Sequence, residues 1–403
     1  MSLTRPARRA RVGSPGATAG ALVVGGDYQG LGIARSLGRR GIPVTVLDDE
    51  LSIAGASRYV QRSHRVPALR EAGETVDALM ATGERLGLHG WVLFPTREEI
   101  VAAISTHRER LSSIYRVPTP PWETVRRAWD KRETYTLATD LGVAVPRCWF
   151  PRSVADLAEV DTSAPVVIKP AIKENFFYAT SAKAWRADGP EQLREAYARA
   201  CEVIDPAEII VQEMVPGGGE GQLAYCAFFR AGEPVASMTV RRRRQHPSDF
   251  GRASTFVETV ELPEIEEPSI RFLRAIDYYG LVELEYKVDP RDGRAKLLDV
   301  NARTWGYHSL GAAAGVDFPA LLFSDQVGEP VEPVRSRAGV RWIRWATDLP
   351  NAVKDVMHGD LRAADYVRSL RGVDVDAVWS ARDPLPALAE LGLLPYLAIR
   401  RGL

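Results

Sequence analysis

Gly280 to Arg303 reads GLVELEYKVDPRDGRAKLLDVNAR. Two runs suited to β-strands, LVELEYKV and AKLLDV, flank a turn-forming Pro290-Arg291-Asp292-Gly293, so the stretch is expected to be a β-hairpin. Strand side chains alternate between faces. Glu283, Glu285 and Lys287 therefore share one face of the first strand, and Asp299, Asn301 and Arg303 share one face of the second. Such a hairpin holds acids, an amide and a guanidinium side by side. Oxygen ligands of this kind suit Mg²⁺, and the arginine suits a phosphate or carboxylate. The plain alternative is a solvated hairpin face, since antiparallel strands commonly turn polar residues to water. The hairpin alone does not choose between them.

A chain of 403 residues exceeds one ordinary domain, so two or three are expected. The hydrophobic share of 45% and charged share of 26% are those of a soluble globular protein. Lys+Arg and Asp+Glu balance at 52 each, so net charge gives no argument for a nucleic-acid partner. The three cysteines, Cys148, Cys201 and Cys226, fit neither a metal site nor a disulfide framework, which points to a reducing compartment and a cytoplasmic location. No apolar run approaches the roughly 20 residues that span a bilayer. Residues 1–18 are rich in Arg, Gly and Pro without an apolar stretch; a disordered tail is expected there rather than a secretory signal.

Residues 21–49 read strand, glycine loop, helix, strand: a βαβ unit. Its glycines, Gly25-Gly26-x-x-x-Gly30-x-Gly32, depart from the GxGxxG spacing of dinucleotide sites. They serve either phosphate binding at a helix N-terminus or helix–strand packing. WVLFPT (91–96) reads as another buried strand followed by a helix over 97–106, and Pro118–Pro121 closes this first unit. Residues 122–142 read as helical, with Asp130-Lys131 near a helix start and Gly142 as a stop. APVVIKP (164–170) is a strand ending at Lys169, with a loop expected over 171–178. The stretch 208–229 reads as two strands around Pro-Gly-Gly-Gly, with 233–244 continuing the sheet. Residues 269–280 read as a helix capped by Gly280. The domains are therefore expected as 19–120, 121–333 and a C-terminal extension, 334–403, that carries no readable chemical motif.

Three upstream features bear on the hairpin. Lys131 and Lys169 each resemble ordinary surface lysines; converging on a polyphosphate they would act as point-charge binders. The run Val211-Gln-Glu-Met-Val-Pro-Gly-Gly-Gly-Glu220 takes a strand into a proline-stopped, glycine-rich hinge. It reads either as a simple loop or as an exposed backbone edge suited to an adenine ring, with Glu220 near ribose hydroxyls. Arg241–Arg244 lies inside an apparent strand, where alternation pairs Arg241 with Arg243 and Arg242 with Arg244, one pair facing the cleft. His246, Arg252 and His308 are further polar candidates, His308 chiefly as a structural or substrate-contacting residue.

Taken in order, WDKRETYTLATDLGVAVP, PVVIKP, QEMVPGGGE, VELEYK and LLDVNAR resemble the ATP-grasp superfamily of carboxylate–amine ligases, nearest to the predicted bacterial group, over about residues 20–330. The resemblance implies an α/β protein in which a Rossmann-like lobe precedes an ATP-grasp fold of two lobes with antiparallel sheets. It implies an ATP-dependent ligase that activates a carboxylate as an acyl phosphate, joins it to an amine and releases ADP and phosphate. Lys131 and Lys169 would bind ATP phosphates, Glu213 and Val215 the adenine edge, and Glu220 the ribose. Glu285, Asp299 and Asn301 would ligate Mg²⁺, for which Mn²⁺ can substitute, and Arg303 would neutralise the transferring phosphoryl group. Glu283 and Lys287 then stand behind this set. Two departures mark the chain: many relatives carry Glu at the position of Asp299, and many carry a Gly/Ser-rich flap where this chain has Ala171–Tyr178, leaving Lys173, Asn175 or backbone groups to cover phosphate, with Lys183, expected on the following strand, as a secondary phosphate-binding candidate. The expected partners are a small carboxylate and an amine, such as an amino acid or peptide-like acceptor, with no nucleic acid and no membrane, and a homodimer is the default assembly. The competing expectations are a non-catalytic ATP-binding regulator and a nicotinamide-dependent oxidoreductase built on residues 21–49.

Overall fold

The computed structural model describes residues 19–180, 182–246 and 253–401; the side chains of residues 173–175, 178, 220 and 397–401 are outside the described set. The expected tail and Arg252 fall outside these residues, as do the side chains of Lys173, Asn175 and Glu220.

The described residues form three sheets. The first contains β1 (Ala21–Val24), β2 (Val44–Asp48), β3 (Arg62–Arg65) and β4 (Val92–Pro95), all parallel, in the order β3-β2-β1-β4. Every residue of β1, β2 and β4 is buried, which is why these strands read as unbroken apolar runs. Helix Tyr28–Gly38 starts where the Asp27 carboxylate accepts the Tyr28 N–H at 2.7 Å. A Cβ on Gly30 would lie 2.2 Å from the Gly25 carbonyl oxygen, so glycine there is demanded by the close approach of loop and helix.

The second sheet contains β5 (Cys148–Trp149), β6 (Val166–Pro170), β7 (Trp185–Ala187) and β8 (Ile209–Glu213), in the order β5-β8-β6-β7. The third contains β9 (Gln222–Arg230), β10 (Glu233–His246), β11 (Ala253–Thr259), β12 (Gly280–Val288), β13 (Ala295–Asn301), β14 (Val334–Arg335), β15 (Arg341–Ile343) and β16 (Val375–Asp376). Its order is β13-β12-β9-β10-β11-β15-β16, with β14 on β10. The strands read as neighbours around Pro-Gly-Gly-Gly thus belong to different sheets, and the residues between them form a hinge.

The third sheet is covered on both faces. Leu223, Tyr225, Ala227 and Phe229 pack with Leu262, Phe272 and Leu273 near the helix Pro263–Ala275, while Ala224, Cys226 and Phe228 pack toward the first lobe with Leu31, Trp305 and Phe318. Alternation across two buried faces explains the near-continuous apolar reading of β9.

β12 and β13 are the expected antiparallel hairpin, with Glu283 opposite Asn301 and Glu285 opposite Asp299. Tyr286 is then opposite Leu297, so Leu298 is an extra residue, a β-bulge. The bulge keeps Leu297 in the core while Leu298 and Asp299, consecutive in sequence, both line one cleft.

Several expectations are corrected. Gly280 is not a helix cap: the helix ends at Ala275, and Gly280 opens β12 at φ +113°. Residues 122–142 form two helices, Trp122–Trp129 and Lys131–Asp140, the second begun by Asp130 accepting the Arg132 N–H. The expected loop after Lys169 contains the helix Lys173–Thr180. Within the C-terminal extension, β14, β15 and β16 join the third sheet. The extension is also locked to the first lobe: the buried Asp383 carboxylate accepts from Arg35, Ser57 and the Arg58 N–H. Among the described residues no helix is long and apolar enough to cross a membrane.

Candidate active site

The second and third sheets face each other across a cleft of about 200 Å³. The helix start at Asp130 sets Lys131 on one wall, and β6 brings Lys169 to the same wall as its apolar run ends. β12 and β13 supply Glu285, Leu298 and Asp299 opposite, and hinge residues Met214, Val215, Gly217 and Gly218 close one end.

Lys131 Nζ donates to Asp299 Oδ1 at 2.7 Å. Lys169 Nζ donates to the Tyr135 hydroxyl at 2.5 Å and lies 4.8 Å from the centre of that ring. Burial, reinforced by the nearby Lys131 charge, pulls the Lys169 ammonium down to about 8. Tyr135 lies one helical turn past Lys131 and hydrogen-bonds the Leu298 carbonyl oxygen at 2.7 Å, tying helix, lysine and bulge together. That i,i+4 spacing was legible in the sequence but was missed.

Asn301 Nδ2 donates to Glu283 Oε2 and to Glu285 Oε1, each at 3.0 Å, while its Oδ1 accepts from Arg303 Nη2 at 3.2 Å. Arg303 also reaches Glu98 of the first lobe at 2.7 Å. Burial opposes the Arg303 charge, but Glu98 and Glu283 outweigh it and raise its pKa. Glu283, buried and adjacent to Glu285, is pushed up to about 7, burial being the larger cause. Tyr307 donates to its other oxygen. Glu283 is thus buried and held between Asn301 and Tyr307.

Lys287 Nζ donates to the carbonyl oxygens of Val215 at 2.9 Å and Gly217 at 2.7 Å, fixing the hinge to β12. The Glu213 carboxylate is held by Lys296 at 2.7 Å and Arg291 at 3.0 Å, so this side chain braces the hinge against β13. Glu213 and Val215 are both among the residues that line the cleft. The side chain of Glu220 lies outside the described residues.

The arginine run does not divide into two equal pairs. Bulges between Arg242 and Arg244 and between Arg244 and Gln245 break the alternation. Arg242 alone of the four lines the cleft, where it pairs with Glu285 Oε2 at 3.1 Å and donates to Gln222. Arg243 pairs with Glu258, and Arg244 with the buried Asp348. His246 does not line the cleft; its Nδ1 lies 2.7 Å from Asn351 Oδ1. His308 is structural: it is buried, its Nε2 meets the Gln29 carbonyl oxygen at 2.9 Å, and burial pulls it down to about 4. Lys183 lines the cleft from the segment before β7 rather than from a strand.

Among the described residues no three His, Cys, Asp or Glu side chains form a metal cage by themselves. Glu285 and Asp299, directly opposite on adjacent strands, nevertheless fit Mg²⁺, which is commonly held by one or two carboxylates together with substrate phosphates.

No family model matches the chain. It is similar to solved structures over most of its length. The L-amino acid ligase from Bacillus licheniformis is 18% identical with a TM-score of 0.60, covering 78% of this chain and 75% of the ligase. The biotin carboxylase domain of the Hydrogenobacter thermophilus 2-oxoglutarate carboxylase, in complex with MgADP, gives 12% and 0.64 over 81% and 74%. N5-carboxyaminoimidazole synthetase from Staphylococcus aureus, complexed with ADP, gives 12% and 0.61 over 80% of each chain. The chain has the ATP-grasp fold. Among curated proteins, the D-aspartate ligase of Enterococcus faecium (strain Aus0004) is 25% identical to this chain over 238 residues, 56% of each protein. The match thus spans about half the length of that relative.

Proposed function

We propose that the protein is an ATP-dependent carboxylate–amine ligase. The observation that carries this reading is the meeting, in one cleft, of Lys131 and Lys169 on one wall, Glu285 and Asp299 on the other, and the hinge at its end. Five separate segments of sequence supply these groups, and a solvated hairpin face would need none of the others. The names of two similar proteins, D-aspartate ligase and L-amino acid ligase, support an amino acid as one substrate.

In this reading ATP lies with its adenine at the Glu213–Val215 backbone, its ribose toward Glu220 and its phosphates between Lys131 and Lys169. Glu285, Asp299 and Asn301 would hold Mg²⁺, which when bound supplies charge neutralisation between phosphate oxygens; Mn²⁺ has the same ligand preference. Such transfers depend on positioning and charge neutralisation rather than on a protein nucleophile. The carboxylate substrate takes the γ-phosphoryl group, giving an acyl phosphate and ADP. The amine then displaces phosphate and leaves an amide. Arg303, held by Glu98 and beside Asn301 Oδ1, lines a second, smaller pocket rather than this cleft; in this reading its guanidinium would serve the anionic acyl phosphate. Asn301 Oδ1 is turned toward Arg303, so metal ligation by Asn301 requires its amide to rotate. The reaction belongs inside the cell, where ATP is supplied, and a homodimer is the proposed assembly.

The test is ADP release across amino-acid pairs, with mass-spectrometric identification of the product. Wild-type protein that binds no ATP with Mg²⁺ by calorimetry would end the reading. Full activity in Arg303→Ala would remove the role given to that arginine.

A further inference from the structure

The charges in the cleft are matched in a way that the metal role of Glu285 and Asp299 does not by itself explain. Each of these carboxylates carries a cation: Lys131 on Asp299 at 2.7 Å and Arg242 on Glu285 at 3.1 Å. Arg242 is the deeper of the two cations, 8% exposed. It reaches this position because β10 pairs with β9, which pairs with β12, and Val240, Ala224 and Glu285 follow one another across the sheet. The Arg242 side chain therefore shares the Glu285 face. Its other hydrogen-bond partners, Gln222 and Gln245, are neutral amides. Arg303 differs, because a second carboxylate, Glu98, holds it from the first lobe.

A buried guanidinium that loses its carboxylate needs another anion. Mg²⁺ completes its shell with substrate phosphates rather than protein oxygens alone. Phosphate oxygens would thus reach the cleft with the cation that takes Glu285. We propose that Arg242 is the counter-ion that keeps the divalent-cation site closed until nucleotide arrives. The guanidinium holds Glu285, the cation entering with the nucleotide takes that carboxylate, and Arg242 turns to the phosphate oxygens. This rests on the ATP reading above. It makes Arg242 a determinant of the order of binding, with free metal excluded and metal–nucleotide admitted.

The test is titration of the full chain with Mn²⁺, following free Mn²⁺ by electron paramagnetic resonance, with and without a non-hydrolysable ATP analogue. Wild type should bind Mn²⁺ at least tenfold more tightly with the analogue than alone. Arg242→Gln should bind Mn²⁺ alone at least tenfold more tightly than wild type, and Arg242→Lys, which keeps the charge, should stay near wild type. The gain should vanish in Arg242→Gln combined with Glu285→Gln. Equal Mn²⁺ affinity of wild type with and without the analogue overturns the proposal and requires no variant to fold. So does an Arg242→Gln protein whose affinity for Mn²⁺ alone stays within twofold of wild type, or a gain that survives loss of Glu285. Wild type that binds neither the analogue nor its Mn²⁺ complex defeats the ligase reading itself; binding of the complex without an Arg242 effect defeats only this inference.

Discussion

Two regions of this molecule carry the marks of a phosphate site, and they differ in how their polar groups are matched. At the carboxyl edge of the first sheet, Asp48 accepts the Gly26 N–H at 2.6 Å and pairs with Arg97 at 2.6 Å, while Asp49 takes Arg97 and the Leu69 N–H. Burial drives the Asp48 carboxyl upward, and Arg97 opposes it. The acid that could meet a ribose in a dinucleotide fold is spent on the loop itself. In the cleft between the other sheets, acids and cations instead line a large open volume. The lesson is that a glycine loop and an acid at a strand end specify a scaffold as readily as a site; what separates them is whether the polar groups bound a cavity or close on one another.

Breaking each region in turn should show the difference. The largest effect belongs to the cleft: Asp299→Ala should lower ADP release by about 10³-fold, in the range of lost electrostatic stabilisation, with the melting midpoint nearly unchanged. Asn301→Ala should behave similarly. At the first-lobe edge the reverse is expected. Asp48→Ala leaves the Gly26 N–H without its acceptor and Arg97 with Asp49 alone of its two aspartates, and should cost about 2 kcal/mol in denaturant unfolding, with nucleotide affinity in the surviving folded protein unchanged. Lys169→Ala should weaken ATP binding about tenfold, the size of one charge-assisted contact, by calorimetry. The pH dependence sharpens this. With its ammonium pulled down to about 8, Lys169 is charged below that pH and loses its proton as pH rises through it, so ATP affinity should fall across that window. Lys169→Arg, charged throughout, should flatten the profile. The smallest effect is expected at Arg243, a partly exposed arginine whose partner Glu258 is also held by Arg341: Arg243→Ala should change stability by no more than about 0.5 kcal/mol.

The part of the cleft that lies on β12 and β13 was legible because strand side chains alternate between faces. Glu283 and Glu285, and Asp299 and Asn301, share a face for that reason alone. The first-lobe βαβ unit was legible from its buried apolar runs. What escaped the sequence depends on pairing between distant segments. Nothing local marks Leu298 as an extra residue; that follows from the register of β13 against β12. Nothing local distinguishes Arg242 from Arg244, because the bulges that separate them arise against β11. The short strands from Val334 onward are two or three residues long and have no periodicity to read; they are strands because β10 pairs with β14, β11 with β15 and β15 in turn with β16. Gly280 looked like a helix cap because glycine favours positive φ in either setting.

The tie from Lys287 to the hinge has one more consequence. Lys287 and Glu285 are two residues apart on a single strand, a rise of roughly 6–7 Å. One grips the carbonyls of Val215 and Gly217, and the other lines the cleft opposite Asp299. If the cleft takes a nucleotide as proposed, β12 is a ruler with a mark for each end of it. The two marks cannot drift apart while the strand stays paired on both sides, with β9 and with β13. A ligand with a shorter phosphate chain would engage one mark and miss the other, so the fold would gauge the length of its nucleotide through an unbroken stretch of backbone.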